Sequence, residues 1–198
     1  MLRLLLLAGP HKLPDVEFLY TSSDNDPAPQ LGSRGGVAPV LSNSHEPGRA
    51  SVGWLDYSWI GWDTHTRPWC DVVAHQRSAI ADVPWEEKRD GAIFAGNMNN
   101  GWRRRQLQRY LQRFMTRKAP GFTVPPLVLH DSRKSGCSLQ EICSYKYVLS
   151  LPGIGYANRL KQLLLCNSTV IHVDYKSREW FMPLLKHDAH LVQVPAAD

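Results

Sequence analysis

The chain has 198 residues, of which 43% are hydrophobic and 21% charged, a balance that excludes wholesale disorder and allows one good-sized domain or two small ones. Nothing approaches the ~18 apolar residues of a membrane span, and the apolar run Leu4–Ala8 is shorter than the roughly 7–15-residue core of a secretory signal, so neither is expected. The net charge of +5 is uneven, because Arg103, Arg104, Arg105, Arg109, Arg113, Arg117 and Lys118 fall in one acid-free run and the remainder is slightly acidic.

In chain order, Leu13 to Tyr20 alternates loosely and reads as a strand that ends in the polar cluster Thr21 to Pro27. Residues 27–53 are rich in Pro, Gly, Ser and Asn, and a long surface loop is expected. An aromatic belt follows, with Trp54, Tyr57, Trp59, Trp62, Trp69 and Trp85; it is either a packing surface between lobes or a platform for a sugar or peptide. Ala92 to Ala95 reads as a buried strand and Gly96 to Gly101 as a polar loop. Leu107, Tyr110, Leu111, Phe114 and Met115 then recur at helical spacing until Pro120-Gly121. The pattern predicts strands over 122–130, 146–151, 169–174 and 191–194, and helices over 139–144, 156–166 and 178–185. Strand, short loop, helix and strand in succession is the order of an open parallel α/β sheet over residues 90–198.

Two strand–loop–helix junctions, Gly96 to Arg103 and Gly153 to Arg159, each place an arginine in the first helical turn. Backbone N–H groups and the helix dipole make such junctions anion sites, and arginine grips a phosphate bidentately. Neither junction has Walker A or GxGxxG spacing. Cys70, Cys137, Cys143 and Cys166 show no CxxC pair, so no zinc site is expected; Cys166, in an apolar run, reads as a buried thiol. Cys137 and Cys143 could pair with each other or with a partner not present. His187-x-x-His190 is not expected to hold a metal, and Asn167-Ser168-Thr169 is a formal glycosylation sequon that reads as an unmodified turn unless the chain is luminal.

The segment KYVLSLPGIGYANRLKQLLLCNSTVIHV with the downstream REWFMPLLKHDAHLVQVP resembles the hallmark block of glycosyltransferase family 90, which includes capsule-associated xylosyltransferases and Rumi-type protein O-glucosyltransferases. The matching pieces are Lys146-Tyr147, Gly153/Gly155, Arg159-Leu160-Lys161, Leu164-Leu165-Cys166, Glu179-Trp180-Phe181 and His190 to Pro195. Upstream, LPDVEF, Trp59-Ile60-Gly61-Trp62 and Phe94-Ala95-Gly96-Asn97 with Arg103 resemble family segments in the same order. Ala95 stands where the family usually has arginine, Asn97 where serine is common, and Pro152 where a polar residue is common.

The resemblance implies an α/β fold of the glycosyltransferase-B type. Residues 1–89 would form a partial N-terminal, acceptor-side lobe, and 90–198 a Rossmann-like lobe for the nucleotide-sugar. The chain is then expected to begin within the first lobe and to stop before the family's C-terminal helices, and Cys143 matches a family cysteine whose upstream partner is missing here. The implied activity is inverting, metal-independent transfer of a hexose or pentose from UDP-glucose or UDP-xylose to a hydroxyl of a protein or glycan, in the ER or Golgi lumen. Carried over by position, Asp24 is the catalytic base with Asp26 second. Gly96, Asn97, Arg103, Gly153, Gly155, Tyr156 and Arg159 face the nucleotide-sugar, and Glu179 is either a sugar contact or a helix-end charge. No metal ligand and no cofactor besides the donor are implied. Two other readings use the same residues: an inactive or fragmentary family member acting as a scaffold, and a nucleic-acid-binding module built on the basic helix, whose arginines at four-residue spacing instead describe a solvated flank.

Overall fold

A computed structural model describes residues 18–23, 25–29, 40–60, 67–80, 83–116 and 126–195. Asp24, Trp62, the start of the Leu13–Tyr20 strand and residues 117–125 lie outside them. The described chain is mixed α/β, with two parallel sheets.

The smaller sheet has the order β1-β2-β3, from β1 (Leu19–Thr21), β2 (Val40–Ser42) and β3 (Ser51–Gly53). The stretch expected to be one long surface loop therefore contains two strands. Residues 30–39 of that stretch lie outside the described residues, and most of its described polar residues are not solvated turn residues. Ser42, Asn43, Ser44 and Ser51 are buried, and Asp26 satisfies the Ser51 hydroxyl and the Glu46 N–H, as burial of polar groups requires. Two helices follow, α1 (Tyr57–Ile60) and α2 (Trp69–Ile80).

The larger sheet contains β4 (Arg89–Gly96), β5 (Leu127–Asp131), β6 (Tyr145–Ser150), β7 (Thr169–Val173) and β8 (Val192–Val194), all parallel, in the order β5-β4-β6-β7-β8. Alternation along the strands splits the core between its faces. Ile93, Ala95, Val148 and Val170 pack with Ile142 of α4 (Leu139–Cys143) and with Leu160 and Leu163 of α5 (Leu160–Leu163). Phe94, Leu149 and Leu151 pack with Met98 and with Leu107 of α3 (Trp102–Thr116).

Two expected helices shrink. The segment 156–166 keeps one regular turn, α5, because Tyr156 and Asn158 turn aside to bond Asp56 and Lys161. Its C-terminal end tightens into i→i+3 bonds from Leu165 to Gln162 and from Cys166 to Leu163 before Asn167 takes a left-handed φ of 48°. Segment 178–185 retains only a 3-10 turn at Met182–Leu184, with Pro183 inside it.

The cysteine reading also changes. Cys166 is not a thiol: it forms a disulfide with Cys143, 23 residues upstream, which therefore does have a partner in this chain. Cys137 is unpaired, with burial and the neighbouring Glu141 pushing its thiol up to about 11.

Candidate functional site

The order β5-β4-β6-β7-β8 changes direction between β4 and β6. In open parallel sheets the crevice outside the strand C-termini at that point is where ligands bind. The loops after these two strands lie there and are locked to one another. The Asn100 side chain accepts from the Ile154 N–H at 3.1 Å. Gly101 has φ 99°, and a Cβ on it would stand 2.8 Å from the Gly153 carbonyl oxygen, so a side chain there is excluded by both conformation and space.

Between the loops opens a cleft of about 870 Å³. Gly96, Asn97, Gly153, Gly155, Tyr156 and Arg159, all predicted site residues, line it. Arg103 does not. Its guanidinium lies against Trp102 and Tyr175, 4.8 and 4.9 Å from their ring centres. The neighbouring Arg104 takes the inward position, donating to the Leu151, Pro152 and Asn97 carbonyls at 3.0, 3.2 and 3.1 Å. Arg159 donates to the Ala95 carbonyl at 2.7 Å. Burial lowers the pKa of both guanidinium groups, and for Arg104 the charge of Arg159 adds to the effect. Two cations, partly desolvated, thus share one cleft, and no carboxylate lines it among the described residues. Such a field favours a multiply charged anion.

Ser22, Ser23 and Asn25, after β1, also border the cleft. The expected base Asp24, between them in sequence, is outside the described residues. Asp26 faces elsewhere: it is 5% exposed and accepts from the Ala28 and Glu46 N–H groups, each at 3.0 Å, and from the Ser51 hydroxyl.

Glu179 is no helix-end charge; it is buried outside the cleft lining. It accepts from Lys161 at 2.7 Å, and the same ammonium lies 3.4 Å from Asp56. Asp56 also accepts from the hydroxyl of the cleft residue Tyr156 at 2.8 Å and from the Ser58 N–H. One buried cation serves two carboxylates, and Glu179 is pushed up to about 7, by burial first and by Asp56 in addition, against the pull of Lys161. The polar cluster joins the segment around α1 to the loop and helix after β6. Sequence reasoning missed Asp56 and Arg104; the one mark of Arg104 was its place in an Arg-Arg-Arg run that gives no orientation.

Comparison with known proteins gives the chain's relatives. The chain is 26% identical over 194 residues to O-glucosyltransferase rumi of Drosophila pseudoobscura pseudoobscura, covering 91% of the chain and 47% of that protein. It is 31% identical over 205 residues to protein O-glucosyltransferase 1 of Rattus norvegicus (92% and 50%) and 27% identical over 201 residues to the O-glucosyltransferase rumi homolog of Aedes aegypti (93% and 48%). The chain spans about half the length of these curated relatives. The family model for Glycosyl transferase family 90 matches residues 1–198, and the chain belongs to that family.

Proposed function

We propose that this chain carries the donor site of a UDP-sugar-dependent O-glycosyltransferase. One observation carries the reading: the two strand ends at a topological switch point bring two guanidinium groups, the half-buried Arg104 and the more exposed Arg159, to a cleft whose described lining contains no acid. A nucleoside diphosphate-sugar has the matching charge and size class for such a crevice. Arg104 and Arg159 would bracket the diphosphate and stabilise the charge that develops as the sugar leaves, so the transfer needs no metal. Gly96, Asn97, Gly153, Gly155 and Tyr156 would shape the nucleotide and sugar pockets, and Arg103 would stack at the rim. Asp24 would accept the acceptor's hydroxyl proton from the opposite face of the sugar, giving inversion.

In this reading residues 1–89 belong to the acceptor-side lobe and 90–198 to the nucleotide-sugar lobe of a glycosyltransferase-B arrangement. The donor is UDP-glucose or UDP-xylose, the acceptor a protein or glycan hydroxyl, and the compartment the ER or Golgi lumen. The relatives' names favour glucose and a protein acceptor. A second reading, a nucleotide-binding scaffold without turnover, is favoured by the buried, fully engaged Asp26.

Calorimetric titration with UDP tests the site. Arg159→Ala is expected to weaken binding by about 10- to 150-fold, the equivalent of the 1.5–3 kcal/mol of a charge-assisted hydrogen bond, and Arg159→Lys to recover part. Unchanged affinity in both variants removes the site. Turnover with UDP-glucose and UDP-xylose then separates the two readings.

A further inference from the structure

We propose that Asn167 is an N-glycosylation site. Asn167-Ser168-Thr169 is the one Asn-x-Ser/Thr sequence in the 198 residues, and the fold treats its first residue unlike its neighbours. Cys166, just before it, is fully buried in the disulfide to Cys143. Thr169, just after, pairs with Tyr147 in the sheet. Ser168 donates to the Tyr145 carbonyl at 2.7 Å and accepts from Lys88. Asn167 alone is exposed, at a left-handed φ of 48° that turns it out of the core, and its amide side chain makes no hydrogen bond among the described residues.

Beside it the surface is hollow. A depression of about 310 Å³ is lined by Asn167, Trp85, Asp188 and His190, with room for a first sugar ring and an indole for it to stack on. The disulfide next to the sequon is a bond that persists in the oxidising compartments where N-glycosylation takes place.

The co-reactant is a lipid-pyrophosphate-linked oligosaccharide, used by the host's oligosaccharyltransferase. The Asn167 amide nitrogen forms a bond to the sugar's C1 and gives up one proton. The bond between C1 and the pyrophosphate oxygen breaks, and the lipid pyrophosphate leaves with its electron pair. Because Thr169 is paired and half-buried in the folded chain, transfer belongs to the nascent chain, before β7 joins the sheet.

The inference rests on the luminal compartment proposed above but not on transferase activity. The full chain is expressed in yeast behind a cleavable secretion leader, and the translocated protein is treated with peptide N-glycosidase in ¹⁸O-water. The expected result is loss of one oligosaccharide and an ¹⁸O-labelled aspartate at position 167, with no such loss in Asn167→Gln. Recovery of the wild-type peptide with Asn167 wholly unmodified overturns the proposal, and so does a glycan that persists in Asn167→Gln. The peptide readout needs no variant to fold. Because the leader supplies translocation, a bare Asn167 counts against the site and not against the compartment.

Discussion

At the scale of single residues, charge and burial set the expectations. If Asp24 is the base, Asp24→Asn lowers transfer by roughly 10²–10⁴-fold, the usual contribution of a positioned base, while UDP affinity holds, because the guanidinium pair is untouched. Asp26→Asn should instead loosen the β1–β2–β3 region, since both its oxygens hold that sheet together; full transfer rates in the Asp24→Asn variant remove the assignment. A second expectation concerns pH. Glu179 is raised from 4.5 to about 7, so over that window the folded chain holds a proton that the unfolded chain releases, and stability falls as pH rises. His172, buried with Nδ1 3.0 Å from the Ser150 hydroxyl, is lowered from 6.5 to about 4, by burial first. Between those values the unfolded chain binds the proton, and stability rises with pH. The two oppose each other across about pH 4.5–6.5. Thermal melts should therefore show Glu179→Gln losing the decline toward neutrality and His172→Asn losing the rise on the acid side. A Glu179→Gln curve parallel to wild type counts against the buried cluster's role. At this scale the sequence is least legible: Arg103 and Arg104 are adjacent and chemically identical, and only the position of the loop carbonyls decides which turns inward.

At the scale of elements, hydrophobic patterning carried far. The strands around Ala92 to Ala95, Lys146 to Leu151 and Thr169 to Asp174 are where alternation and apolar runs put them, and so is the basic helix. What patterning did not reach was tertiary recruitment. β2 and β3 are three-residue strands whose serines look like loop residues until Asp26 and neighbouring backbone groups satisfy them. The helix from Tyr156 shortens because its first residues serve a contact about a hundred positions away. The Cys143–Cys166 bond was equally hidden, since spacing alone does not reveal that the end of α4 and the segment after α5 meet beneath the sheet. The bond closes a separation of 23 residues, for which chain entropy gives about 3 kcal/mol. Cys143→Ser with Cys166→Ser should lower stability by roughly 2–4 kcal/mol, and wild type melted with reductant should approach the variant. A melting temperature insensitive to both changes would show that the link contributes nothing.

At the scale of the whole molecule, the two sheets meet along a seam built largely from polar contacts. His45 and Arg178 exchange backbone hydrogen bonds at 2.9 and 2.8 Å. Ser177 donates to Glu46 at 3.2 Å, Gln76 donates to the Gln162 carbonyl at 3.0 Å, and Asp56 reaches Tyr156 and Lys161. These bonds fix the cleft's walls relative to each other, and desolvated polar pairs of this kind are costly to break one partner at a time.

The aromatic cluster at the same seam gives the molecule a built-in optical gauge. Trp59 of α1 has Trp69 of α2 at 4.9 Å and Trp180, from beyond β7, at 5.4 Å between ring centres. Indoles at such separations exchange excitation, so the colour and polarisation of the emitted light depend on whether Trp180 still stands beside Trp59. With the seam as tightly bonded as it is, emission and far-ultraviolet dichroism should change together in a denaturant series. A change in emission that runs ahead of the dichroism would reveal the halves parting while each keeps its secondary structure, a motion the protein would then report without any added label.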